Sequence, residues 1–429
     1  MSIATTDPDP DPSSTFSGAP SPTQAFVRQP RFLPASVPTD PVPLRPPPVH
    51  TDRTWRHRWL SSALLTSPGI ASSCLLLLFV DSSMGRAVGF VTLGVGIAVT
   101  CFASVRGSAG EVTHATQQRR AYLRYLTDVR RQLHRTALKQ REAQLWLNPE
   151  PSELRSVVSR RSQLWERTAD DPDFLQVRVG SGEQRLATDL ESPTIPAGAD
   201  AVCVDGLASL VYEYGTMAEM PMAVSLKAFH HIHVCGTDEQ SIRNLVRSIV
   251  GQAVTFHGPD DLRLMIYGPV QQSHEWEWID YLPHAQRLPG HQTPSNTTAF
   301  ADDAVSFTRL VAAVGDRPPF SRDGSRQLPH ILIVCDTLPL PDELDWLATE
   351  GRQGVTLVRL VPDTREGVNI GLEMAVTDDE LTLGTQNVSY TGTPDSLTIG
   401  QVIRLARDLS RFRLAESENG ASSAGGHDR

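Results

Sequence analysis

From Phe229 to Leu414, short apolar runs alternate with segments whose apolar residues recur every three or four positions. The runs are FHHIHVC (229–235), LRLMIY (262–267), HILIVC (330–335) and VTLVRL (355–360), with helical segments near 239–254 and 299–314. A strand that is apolar on both faces must be covered on both, and alternation with helices supplies that cover. The pattern predicts an α/β domain built on a doubly wound, mostly parallel sheet. Strand-like pieces at 371–376, 380–383 and 387–390 and a helix near 398–413 close it. Upstream, DFLQVRVG (173–180) reads as a strand followed by turn-rich sequence.

The rest of the chain is organised differently. Residues 1–57 are proline-rich, 13 of the 32 prolines lying in the first 50 positions, and this segment is expected to be disordered. Two uncharged apolar runs follow, 61–80 and 87–105, each long enough to cross a ~30 Å hydrocarbon layer. Arg53, Arg56 and Arg58 precede the first and Arg106, Arg119, Arg120 and Arg124 follow the second. These features predict a two-helix transmembrane hairpin over 58–106, in the cell inner membrane, with both termini cytoplasmic. Residues 107–147 carry Tyr122, Leu126, Val129, Leu133 and Ala137 at helical spacing, with no Gly or Pro from 111 to 146, and read as a stalk helix ended by Asn148-Pro149. Residues 148–414 form the expected cytosolic domain and 415–429 a disordered tail. Basic and acidic side chains number 7 and 6 in 1–105, 9 and 3 in 106–146, and 23 and 40 in 147–429. So acidic a globular part argues against nucleic-acid binding.

FHHIHVCGTDEQSIRNLVRSIV (229–250) has the strand–turn–helix layout of a phosphate-binding loop. Such a loop reads G-x-x-x-x-G-K-[ST], its lysine reaching the phosphates and its hydroxyl holding Mg²⁺. Laid on Gly236, the second glycine becomes Ser241, the lysine Ile242 and the hydroxyl residue Arg243. Asp238 and Glu239 add negative charge where phosphate would sit. The chain has two lysines, Lys139 and Lys227, and neither lies in the loop. HILIVCDT ends its strand at Asp336, as a metal-binding acidic strand does, but the next residue is Thr337. The candidate nucleotide-site positions are therefore Gly236, Thr237, Asp238, Ser241, Arg243 and Asp336. The reading assigns no catalytic residue, metal or cofactor. ATP binding or hydrolysis through Gly236 and Asp336, with Arg243 and the helix N-terminus taking the phosphate, is the alternative.

Other constellations are weaker. His231 and His233 share a strand face, but no third ligand is spaced to join them. HEWEWIDYLPH (274–284) reads as a partner-docking loop or as one packed on its own sheet. The five cysteines form no C-x-x-C pair and read as buried residues in a reducing compartment.

Several long stretches together resemble a known family: RRAYLRYLTDVRRQLHRTALKQREAQLWLNPEP leading into LWERTADDPDFLQVRVGSG, then LVRSIVGQAVTFHGPDDLRLMIYG, EWIDYLPHAQ and PHILIVCD. The chain resembles the EccC subunit of actinobacterial type VII (ESX) secretion systems, an FtsK/SpoIIIE-type family, from the apolar hairpin to about Leu414. The resemblance implies a degenerate ATPase-like first domain. It also implies assembly with EccB-, EccD- and EccE-like membrane subunits and service to WXG100-type substrates. The family's following motor domains do not appear in this sequence. The expectation is thus of a scaffolding or coupling component, not an enzyme by itself, working with a separate FtsK-type ATPase chain in an oligomeric complex.

Overall fold

The computed structural model describes residues 24–49, 83–285, 299–361, 371–385 and 388–415; within the helix from Ser83, side chains are described at Met84, 87–99, Phe102 and from His114 onward. In chain order the elements are β1 (Gln24–Phe26), β2 (Val42–Pro43), α1 (Ser83–Leu147), α2 (Leu154–Arg160), β3 (Gln176–Arg185), β4 (Leu190–Glu191), α3 (Ala201–Gly215), β5 (Thr216–Ser225), β6 (His231–Gly236), α4 (Glu239–Phe256) and β7 (Leu262–Tyr267). There follow β8 (Phe300–Ala301), α5 (Ala304–Gly315), β9 (His330–Asp336), α6 (Trp346–Thr349), β10 (Val355–Val361), β11 (Leu372–Val376), β12 (Leu381–Gly384), β13 (Ser389–Pro394), α7 (Ile399–Leu409) and β14 (Phe412–Leu414).

The main sheet has ten strands in the order β5-β3-β13-β12-β11-β6-β10-β9-β7-β8. From β11 through β8 the pairing is parallel, and from β11 through β13 to β3 it is antiparallel. The parallel strands are buried on both faces, as their apolar sequences require. Ile232, Val234, Leu332, Val334 and Val358 pack with α2, α4 and α7 in one core. Ile331, Ile333, Cys335 and Leu357 pack with Phe307 and Val311 of α5 and Leu347 of α6 in another. The mixed α/β class and the mostly parallel sheet agree with the strand pattern.

The chain divides into two compact units. One comprises 1–34, 144–182 and 219–429 and carries most of the sheet; the other comprises 35–143 and 183–218. In the second unit, Tyr122, Leu126, Val129 and Leu133 of α1 are buried with Cys203, Leu207 and Leu210 of α3. The apolar stripe read from the sequence is therefore a real packing face. Its partner α3 falls in sequence read as turn-rich, although Asp200 caps it by accepting the Cys203 N–H. β5 was likewise not anticipated. Residues 24–49, within the segment expected to be disordered, include β1 paired with β14 and β2 paired with β4.

The expected transmembrane hairpin, and with it the multi-pass placement, is corrected. Among the described residues no helix is long and apolar enough to cross a membrane. Residues on both sides of the expected 106/107 boundary lie in α1, which runs unbroken to Leu147. The first run, 61–80, lies outside the described residues.

Candidate functional site

β6 delivers the chain to a turn at Gly236–Asp238, and α4 begins at Glu239. Gly236 pairs with Val376 of β11, and a Cβ on it would stand 2.2 Å from the Val376 carbonyl oxygen. Close strand approach thus accounts for this glycine without any ligand. Thr237 and Asp238 are exposed in the turn. Asp238 is the N-cap of α4, its carboxylate accepting the Ser241 N–H at 2.6 Å. Hydrogen bonds from Ser241 hold that carboxyl below its ordinary range. Ser241 Oγ donates to Asp378 at 2.8 Å. The helix N-terminus, where a phosphate would be received, is served by the chain's own carboxylates.

Ile242, at the position of the P-loop lysine, is 2% exposed and part of the core. The helical turn that sinks Ile242 aims Arg243 at the end of β9. Arg243 Nε donates to Asp336 Oδ2 at 2.9 Å, and its Nη2 to Asp336 Oδ1 at 3.3 Å and to Glu239 at 2.9 Å. Trp276 Nε1 donates to Asp336 Oδ2 at 2.8 Å. Burial works against the Arg243 charge, but the bonds to Asp336 outweigh it and raise its pKa. Asp336 is fully buried with both oxygens engaged. The space left among Glu239, Ile242, Arg243, Asp336, Thr337 and Leu360 is about 10 Å³, room for a water at most.

Thr337 adds a second signature. Its φ is 60°, and the Leu338 N–H bonds back to the Asp336 carbonyl at 2.8 Å, making a tight three-residue turn. A β-branched residue in the left-handed region carries strain of about 1–3 kcal/mol, a cost that persists where the surroundings impose it.

The structure therefore brings Ser241, Arg243 and Asp336 to one end of the sheet beside the Gly236 turn, as the sequence placed them. Trp276 and Asp378 were missed, because nothing in sequence links a position to partners 60 or 137 residues away. Trp276 and Trp278 are each 1% exposed, so the 274–284 loop packs inward. His231 and His233 lie with ring centroids 4.3 Å apart, and among the described residues no group of three metal-ligating side chains forms.

No family model matches the sequence. The chain is homologous to EccC proteins of ESX secretion systems. It is 30% identical over 330 residues to the ESX secretion system protein EccC of Thermomonospora curvata, covering 74% of this chain and 25% of that protein. It is 34% identical over 246 residues to the ESX-3 secretion system protein EccC3 of Mycobacterium tuberculosis, covering 56% and 18%. The chain thus spans about a quarter or less of the length of these relatives. A solved structure titled "Cytoplasmic domain of the Thermomonospora curvata Type VII Secretion ATPase EccC" matches with a TM-score of 0.28 and 13% identity over 47% of this chain and 32% of that one. The expectation that this chain is no enzyme by itself is corrected: the chain is homologous to EccC proteins, and the loss of P-loop residues does not establish an inactive site. That expectation weighed the missing lysine, glycine and hydroxyl positions of the loop and the absence of the family's motor domains from this sequence.

Proposed function

We propose that this chain is an EccC-like component of an ESX protein-secretion complex, in which its α/β unit couples to FtsK-type ATPase domains. The observation that carries the coupling reading is the buried Arg243–Asp336 pair with its Trp276 brace. The pair ties α4 to the end of β9 and leaves a cavity of about 10 Å³. An element held this way transmits position between the turn at Gly236, β9 and the Trp276 loop. EccB-, EccD- and EccE-like subunits are the proposed partners, and WXG100-type proteins the proposed cargo of the assembly.

The second reading, nucleotide chemistry at this same site, is favoured by the strained Thr337 and the acidic end of β9. It requires Arg243 to leave Asp336 for a phosphate. Mg-ATP titrated into the purified chain separates the two. Coupling predicts that affinity purification of the tagged chain from its own cell brings down an FtsK-type ATPase and other ESX components. It also predicts that ATP turnover by the purified chain is unchanged by Asp336→Asn. Turnover abolished by that substitution in a chain that keeps the wild-type circular dichroism would assign hydrolysis to this unit and sink the coupling reading.

A further inference from the structure

Residues 38–48, PTDPVPLRPPP, hold six prolines and include β2 (Val42–Pro43), in the unit that contains α1 and α3. Proline fixes φ and removes donors, so such a segment reaches a binding partner already extended and with little backbone entropy left to lose. Its backbone is met group for group. The Val42 and Leu44 N–H groups donate to the Asp189 and Glu191 carbonyls at 2.9 and 3.1 Å. The Arg45 N–H donates to the Tyr125 hydroxyl at 3.1 Å, and the Arg45 carbonyl accepts the Tyr122 hydroxyl at 2.8 Å. The Arg45 guanidinium lies 4.9 Å from the Tyr125 ring centroid. Leu44 and Pro47 are buried while Arg45 and Pro46 between them are exposed. Buried positions three apart are one face of a three-residue-per-turn extended helix.

These are the parts of a peptide-recognition site: strand addition along β4, two hydroxyls bracketing one residue, an aromatic face for a cation and two apolar anchors. We propose that the Tyr122–Tyr125 face of α1, with β4, is a receptor for extended, proline-rich, arginine-bearing segments, and that residues 38–48 are a ligand held in cis. The site is not filled by its own ligand. A cavity of about 620 Å³ remains between the segment and Tyr125, Val129, Gln132 and Thr136. The Tyr122–Tyr125 pair thereby acquires a role apart from the Gly236 site.

The test uses the full chain carrying Leu44→Asp, which weakens the ligand and leaves the receptor, and a fluorescent peptide of residues 36–49. The peptide should bind this variant at least about tenfold more tightly than it binds the wild-type chain, whose tethered segment competes at an effective concentration near millimolar. Adding Tyr122→Phe and Tyr125→Phe to the Leu44→Asp chain should weaken binding at least tenfold, roughly the loss of two bracketing hydrogen bonds. Absence of binding to a Leu44→Asp chain that keeps the wild-type circular dichroism would overturn the proposal, as would binding indifferent to the tyrosines. Should Leu44→Asp unfold, Leu44→Ala is read the same way. A chain that unfolds with both makes the segment part of the core, which also ends the proposal.

Discussion

Removing one member of the Arg243–Asp336 pair leaves the other charge in a site of 5% or less exposure. Breaking a buried pair from one side costs about 3–5 kcal/mol, while replacing both members is far milder. Arg243→Met should therefore lower the urea-unfolding free energy by about that amount. Arg243→Met with Asp336→Asn should recover more than half of the loss, since the amide can still accept from Trp276. A double-mutant cycle with additive losses would mean that the two groups do not act as a pair. The sequence made both residues positions of a degenerate nucleotide site, with a phosphate on Arg243 only as the alternative; the structure pairs them with each other. The difference is geometric. Burying Ile242 on the core face of α4 fixes where the adjacent side chain points, and Asp336 is what stands there.

Strand pairing explains the turn at Gly236 better than phosphate binding does. The glycine lies at the end of β6 against the Val376 carbonyl of β11, where a Cβ would approach to 2.2 Å. Gly236→Ala should cost about 1–3 kcal/mol through this overpacking. Thermal unfolding without any nucleotide is the measurement, and an unchanged midpoint would return the glycine to a ligand role. Elements marked by period alone were legible: β6, α4, β7, β9, β10 and the stripe of α1 all stand where the pattern put them. Elements lacking a clean period were not. α3 contains Gly206 and Asp205 within its apolar face spacing, and β2 and β4 are two-residue strands that exist only through their pairing. The apolar run at 87–105 misled: among the described residues no helix is long and apolar enough to cross a membrane.

At the scale of the molecule, His231, His257, His284 and His330 are buried and neutral. Burial lowers His231, His257, His284 and His330 to about 3. His257 shows why the neutral form is kept: its Nδ1 lies 2.9 Å from the Ala253 carbonyl, and its Nε2 accepts the Leu175 N–H at 2.9 Å. In the unfolded chain these rings take a proton near 6.5, so stability present above that pH is lost progressively as pH falls toward 3. Glu166, raised by burial to about 7, and Asp261 and Asp395, raised to about 6, act in the opposite direction, their contribution fading as pH rises through those values. Comparison with His257→Asn isolates one ring. Between pH 6.5 and about 4 the wild-type urea midpoint should fall more steeply than that of the variant. Parallel slopes would mean that the ring is protonated in the folded state. The sequence by itself determined the α/β class, the parallel core of the sheet and the stripe of α1, because hydrophobic periodicity is a local consequence of burial on one face or two. Only the tertiary structure decided which acid meets Arg243, what covers the α1 stripe and where the proline-rich segment lies. Those outcomes depend on groups far apart in sequence, and no local pattern encodes which distant neighbour will satisfy a charge, a hydroxyl or a strand edge.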